Sequence, residues 1–163
     1  MRPRKQIIWF TVLGLISILP CVSPILAANS SLPVISVIDG DTIEVLHNEH
    51  PERIRLSGID CSEKGQAFGN RAKQAASALV FGRDVMLDTH GQDKYGRILA
   101  DVMVRDGTNV NHELVKEGWC WWYRKYAPGD TILEGLESDA REGQRGLWAD
   151  PHPVPPWEWR KRK

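Results

Sequence analysis

The strongest constraint on the fold lies between Val34 and Leu56, where apolar and polar residues alternate in short runs broken by turn-forming residues. A period of two sends successive side chains to opposite faces of a strand, so each run predicts a half-buried strand. Val34 to Ile38 is expected to meet Thr42 to Leu46 across Asp39-Gly40, a dipeptide suited to a tight turn. In the third run Ile54 and Leu56 share one face while Arg53 and Arg55 share the other. An arginine on a strand face needs water or an anion.

The pattern then changes. From Ala67 to Phe81, Ala, Lys, Gln and Leu fall at helical spacing, with Gly82 as a stop. Strands resume at Val85 to Asp88 and Ile98 to Val104, the latter closed by Asp106-Gly107. A short helix capped by Asn109 and ended by Gly118 follows, and a last helix opens on the capping box Thr131 and Glu134 and runs to about Gly146. Asp150 to Trp159 carries four prolines and is expected to be extended, packing its tryptophans on the domain. Five short strands with a helix inserted after the third predict a closed barrel with helices, the oligonucleotide-binding (OB-fold) architecture, because short twisted strands in a small domain need their edges closed.

Ahead of this, Arg2, Arg4 and Lys5 precede an apolar run from Ile7 to Leu19, followed by small residues at Ala27 and Ala28. Residues 1–28 are therefore expected to be an export signal, and the protein to be secreted or periplasmic. Pro20 and Pro24 interrupt the helix that the alternative, an uncleaved membrane anchor, would need. A lipid anchor on Cys21 is disfavoured by Pro20, which stands where a small residue is expected. About 135 residues remain, enough for one core. They divide into a domain at 29–150 and a Pro/Trp-rich basic tail at 151–163.

Three of the 21 Lys and Arg residues lie in the signal, leaving 18 against 21 Asp and Glu, a net charge of −3. A nucleic-acid binder is usually basic overall, so this balance counts against a broad basic track and points to a local phosphate site. Arg160, Lys161, Arg162 and Lys163 restore some basic character, and a solvated tail is the simpler reading of them. Two cysteines, Cys61 and Cys120, remain beyond the signal. An even count in an oxidising compartment fits a bridge, with two free buried thiols as the alternative. No CxxC occurs, and His47, His50, His90, His112 and His152 lack zinc-ligand spacing, so a zinc enzyme is not expected.

Chemistry concentrates in three clusters: Asp39-Gly40-Asp41-Thr42; Arg55 with Asp60, Cys61 and Glu63; and Asp93-Lys94-Tyr95-Gly96-Arg97. Each has a plain reading alone. Asp-Gly is usually a turn, Asp60 and Glu63 suit a solvated loop, and Arg97 suits a surface ion pair. Together they supply carboxylates for a hard cation, guanidiniums for a phosphate and a spare carboxylate to handle water, a set suited to phosphoryl transfer.

These runs resemble the staphylococcal nuclease (thermonuclease) family. The hallmark segments stand here as Val37-Ile38-Asp39-Gly40-Asp41-Thr42, Ile54 through Glu63, and Asp93-Lys94-Tyr95-Gly96-Arg97, with Val110-Asn111 through Leu114-Val115 to Gly118 and then Tyr126 continuing the match. The likeness covers roughly Val34 to Trp148. It implies a five-stranded OB-fold barrel with three helices and a calcium-dependent, endonucleolytic cleavage of DNA or RNA that breaks the 5′ P–O bond and leaves 3′-phosphate. By position, the resemblance assigns Asp41, Asp60 and the backbone carbonyl of Cys61 to Ca²⁺, Arg55, Glu63 and Arg97 to catalysis, and Lys94, Tyr95 and Tyr126 to substrate contact. Few protein oxygen ligands leave a calcium ion room for water and a phosphate oxygen. A thiolate does not suit calcium, so the Cys61 side chain is expected to point elsewhere.

The chain departs from the family at Ser62, where proline is usual, and in a shorter loop from Lys64 to Gly69. Cys61 and Cys120 are additional, and the resembled fold places their segments side by side, which implies a Cys61–Cys120 disulfide. Trp119, Trp121, Trp122 and Tyr123 are expected in the core, with a base-stacking platform as the alternative. The competing functions are a catalytically silent nucleic-acid-binding module and a membrane-anchored interaction protein. Glu63 separates enzyme from binder, since a carboxylate beside a phosphate weakens simple binding. Nothing in the sequence calls for an obligate protein partner, and a monomer is expected.

Overall fold

In the computed structural model, which describes residues 31–162, the alternating runs become β1 (Leu32–Val37), β2 (Thr42–His47) and β3 (His50–Leu56). They pair in antiparallel order, with Val37 opposite Ile43 and Thr42 opposite Arg55. Val34, Ile43, Val45, Ile54 and Leu56 all point inward and are buried, as the period of two requires. The link between β1 and β2 is a four-residue loop, Ile38 to Asp41, and not a two-residue turn. Gly40 is required in it, because a Cβ there would lie 2.7 Å from Cys61 Cβ and 2.8 Å from Ala72 Cβ.

Next come β4 (Ile59–Cys61) and helix α1 (Gly69–Val80), then β5 (Asp84–Gln92) and β6 (Ile98–Val104). Helix α1 buries Ala72, Ala76 and Val80 at intervals of four, a narrow stripe of small residues that lets it lie close to the barrel. β6 pairs parallel with β3, Arg55 opposite Leu99, across the crossover that α1 supplies, and β1 closes on β5 with Leu32 opposite Val85. The result is a closed barrel in the order β1-β2-β3-β6-β5, the expected OB-type architecture.

Helix α2 (Val110–Lys116) is capped by Asn109, whose side chain accepts from the His112 amide at 3.0 Å. β7 (Cys120–Trp122) pairs with β4, Cys61 opposite Cys120 and Asp60 opposite Trp121. Trp121 and Trp122 are buried as expected, whereas Trp119 is half-buried against the core and Tyr123 is half-buried at the wall of the groove. Helix α3 (Thr131–Glu142) corrects the expected capping box. Asp130 is the cap, accepting from Ile132 and Leu133 at 3.0 and 2.9 Å, and Thr131 is the first helical residue.

A fourth helix, where three were expected, arises in the tail. After a 3-10 turn at Gly146–Ala149 and an irregular stretch, α4 (Pro156–Trp159) continues as a 3-10 turn at Arg160–Arg162. Pro156 sits in its first turn, where its missing N–H costs nothing. Only the part before α4 lacks helix. The tail packs its aromatics as expected: Trp157 stacks on Tyr123 with ring centres 5.1 Å apart and meets Trp121 edge-on at 5.6 Å. The export-signal reading of residues 1–28 lies outside the described residues. Among the described residues no helix is long and apolar enough to cross a membrane.

Candidate active site

Three structural accidents of the barrel bring the charged clusters to one place. The β1–β2 loop delivers Asp41 to the start of β2; β3 carries Arg55 directly opposite Thr42; β4 leaves the barrel wall with Asp60. The Arg55 guanidinium joins them: one nitrogen, Nη2, lies 3.1 Å from Asp41 Oδ2 and 3.0 Å from Asp60 Oδ1. Its Nη1 donates to the carbonyls of Leu56 at 2.8 Å and Ile59 at 3.0 Å, so the arginine also fixes the backbone between β3 and β4. Arg55 Nε has no partner among the described residues.

Asp41 is buried and held on all sides. It accepts the Cys61 amide at 2.7 Å and the Thr42 hydroxyl at 3.3 Å, and its own amide donates to Asp39 Oδ1 at 3.1 Å. Burial is the dominant influence on its acidity and pushes the Asp41 carboxyl up to about 7, against the pull of the Arg55 charge; Asp39 and Asp60 reinforce the rise.

Cys61 follows Asp60 on β4, and its sulfur is bonded to Cys120 on β7. The side chain is thus turned into the core, and it is the Cys61 amide that faces Asp41. Glu63 stands just past β4, its amide donating to Gln66 Oε1 at 2.9 Å and its carboxylate facing the groove.

Arg97 enters from the β5–β6 hairpin. Asp93 grips it through Nε at 2.8 Å and Nη2 at 2.7 Å, while Arg97 Nη1 reaches Thr42 Oγ1 at 3.4 Å. Desolvation works to raise Asp93, but the Arg97 side chain and the Arg97 and Tyr95 amides outweigh it and hold this carboxyl below its usual range. Both arginines therefore flank the same dipeptide, Asp41-Thr42. Lys94 and Tyr95 sit on the hairpin tip, with Lys94 Nζ 4.9 Å and Arg97 Cζ 5.6 Å from the Tyr95 ring centre. Tyr126 lies across the groove, edge-on to Tyr123 at 4.9 Å. Tyr95 and Tyr126 are 72% and 69% exposed, so neither serves as core packing. All nine of the expected site residues except Cys61 line one open groove of about 1640 Å³.

Two residues to which the sequence reading assigns no role at the site also stand there. The first is Arg160, read from the sequence as part of a solvated tail. Its Nη2 lies 2.6 Å from Asp60 Oδ2, and its Nη1 lies 2.6 Å from Glu63 Oε1 and 3.2 Å from Asp60 Oδ1. The hydrogen bonds to Asp60 and then to Glu63 hold its proton more tightly than usual. The second is Asn111, buried on α2, which donates to the carbonyls of Ser57 and Ala100 and to Asp101, and accepts the Val102 amide. It ties the residue that follows β3 to the middle of β6. Asp101 also accepts from Ser57 Oγ.

Asp88, His90 and Asp101 form, among the described residues, a further group whose ligand atoms come within 4.8 Å of one another. Cross-strand pairing of Asp88 with Asp101 creates it, which spacing along the chain cannot reveal. Asp101 Oδ1 accepts from Ser57 and Asn111 and its Oδ2 lies 3.4 Å from His90 Nε2, and both Asp101 and His90 line the same groove as Arg55.

An OB-type barrel with paired carboxylates, guanidiniums and a further carboxylate in one groove is the setting of a phosphodiester hydrolase acting on nucleic acid, and the comparisons with known proteins give that class. Residues 53–150 match the family described as "Staphylococcal nuclease homologue". The chain is 44% identical over 140 residues to an Escherichia coli protein named "Uncharacterized endonuclease", covering 86% of this chain and 91% of that one. It is 42% identical over 137 residues to the "Micrococcal nuclease" of Shigella flexneri, covering 78% and 79% of the two chains. The protein belongs to the staphylococcal nuclease family.

Proposed function

We propose that this nuclease is a calcium-dependent endonuclease that hydrolyses DNA, RNA or both and leaves 3′-phosphate ends. The observation that carries the reading is the sharing of Arg55 Nη2 by Asp41 and Asp60, which keeps two hard oxygen donors within reach of one point in the groove. Donors of that kind fit a calcium ion, with the Cys61 carbonyl as the third protein ligand and the remaining positions left to water and substrate. When bound, such an ion supplies Lewis-acid polarisation of a phosphoryl oxygen and favours ionisation of water.

The chain's own residues do the rest. Arg97, gripped by Asp93, presents its remaining edge to the groove, and Arg55 has Nε to offer a phosphate oxygen. Both donate to oxygens on which charge builds in the transition state. Glu63 accepts the proton of the attacking water. Lys94 neutralises a neighbouring phosphate, and Tyr95 and Tyr126, exposed on the two walls, stack on the flanking bases.

The protein is proposed to act as a monomer after export, and a disulfide between β4 and β7 suits an oxidising compartment. The test is one assay of the purified protein on single-stranded DNA, duplex DNA and RNA, each with Ca²⁺, Mg²⁺ or chelator. Calcium-supported cleavage with product ends sensitive to 3′-phosphatase is the expected result. Cleavage that persists in chelator, or products bearing 3′-hydroxyl, would contradict it.

A further inference from the structure

The tail that ends the chain is fastened to the domain at three points. Gln66 Nε2 donates to the Val154 carbonyl at 2.6 Å, Pro156 is buried, and Trp157 lies flat on Tyr123. Gln66 is the same side chain that accepts the Glu63 amide, so one buried residue sets both the tail and the candidate base. From these anchors α4 projects Arg160 into the groove, about a hundred residues along the chain from the carboxylates it meets.

The two arginines on Asp60 differ in kind. Arg55 is an interior partner, its side chain only 12% exposed, and it braces the backbone as well. Arg160 is the outer partner, 42% exposed, bonded to nothing but Asp60 and Glu63 among the described residues. It covers the open side of a carboxylate that is itself 2% exposed. With Arg55 on Oδ1 and Arg160 on both oxygens, three of the four lone-pair directions of Asp60 are taken, two of them by Arg160. A divalent cation and a guanidinium cannot share that side of Asp60, because they want the same oxygens and repel each other. An outer, solvent-facing ion pair is also the one that separates at low cost.

We propose that the C-terminal strap is a latch exchangeable with metal: Arg160 occupies Asp60 and Glu63 until a divalent cation displaces it. The anchors at Gln66 and Trp157 stay docked and only the Arg160 side chain swings out. Binding of metal and seating of Arg160 are antagonistic, and by linkage each weakens the other by the same factor. The latch also occupies Glu63 Oε1 while the site lacks its cation. This inference rests on the metal role proposed above for Asp60.

The test is direct calcium binding, measured by titration calorimetry without substrate, on the intact protein and its Arg160→Gln and Lys161→Gln variants. Lys161 carries the same charge in the same turn and bonds to no carboxylate among the described residues. Arg160→Gln is expected to bind Ca²⁺ roughly tenfold more tightly than the parent, and Lys161→Gln within a factor of two of it. Equal affinity for all three proteins, weaker binding by Arg160→Gln, or an equal gain in both variants would overturn the latch. In each of those cases calcium still binds and the metal reading stands. No binding by any of the three would instead remove the metal reading, and the latch with it.

Discussion

Asp41 and Arg55 meet at 3.1 Å across the open end of the β2–β3 ladder, and the same arginine nitrogen lies 3.0 Å from Asp60. A single half-buried donor thus gathers carboxylates from two separate elements. On the proposed reading, both the stability of the domain and its affinity for a cation depend on that meeting point.

The first consequence is a pH dependence. Burial holds the folded Asp41 carboxyl at about 7, above its unfolded value of 3.8, so the folded state binds the proton more tightly. Its contribution to stability is fully present below the unfolded value and is lost as pH rises through about 7. In chelator, the melting temperature is expected to fall more steeply between pH 5 and 8 for the parent than for Asp41→Asn, which keeps an acceptor for the Cys61 amide. Calcium should raise the melting temperature of the parent more at pH 8 than at pH 5.5. Identical pH slopes for parent and variant in chelator would dismiss the assignment.

Arg97 and Arg55 should respond differently to the same change. Replacing either by lysine removes a forked donor from the reaction and is expected to lower kcat about a hundredfold or more. Arg97→Lys should melt like the parent, because Arg97 bonds only to Asp93 and Thr42. Arg55→Lys should also melt earlier, since lysine cannot serve two carboxylates and two carbonyls together. Calorimetry beside single-turnover kinetics checks both. Equal melting of the two variants would count against the bracing role of Arg55.

The disulfide joins residues 59 apart in sequence, across the only pairing of β4 with β7. Closing a loop of that size is worth about 4 kcal/mol in the chain-entropy account. The Cys61→Ala, Cys120→Ala double variant should lose stability of that order in urea unfolding. It should also bind calcium more weakly, because β4 carries Asp60. Unchanged affinity would mean that β4 is held without the bridge.

Gly40 is a tighter constraint than its place in a loop suggests. A methyl group there collides with Cys61 Cβ and Ala72 Cβ, both in the packed layer beneath the site. Gly40→Ala is expected to cost about 1–3 kcal/mol and to push the β1–β2 loop, with Asp41, away from Asp60. Denaturant unfolding and calcium titration of this variant check the two effects. A stable variant with parental affinity would show that the layer gives way freely.

Much of this was legible in the chain because the barrel strands carry a period. Ile54 and Leu56 inside with Arg53 and Arg55 outside is a local pattern, and it alone aims Arg55 at the groove. β4 and β7 left no such trace: three residues, all buried, show no alternation to read. The α3 cap slipped by one position because Asp130 and Thr131 are both good caps, and only the extended backbone at Asp130 decides between them. Arg160 was hidden for a different reason. Nothing in a run of four basic residues marks the one that returns to the site, and what returns it is the docking of Trp157 and Val154, a tertiary event.

The most direct test of the hydrolytic centre is single-turnover cleavage of an end-labelled DNA strand by Glu63→Gln in saturating calcium. Glutamine keeps the shape and an acceptor for Arg160 but cannot take a proton from water. The rate is expected to fall about a hundredfold or more, with DNA and calcium binding near parental strength. A rate within a few-fold of the parent would contradict the assignment of Glu63 as the base, and with it the proposed use of this groove.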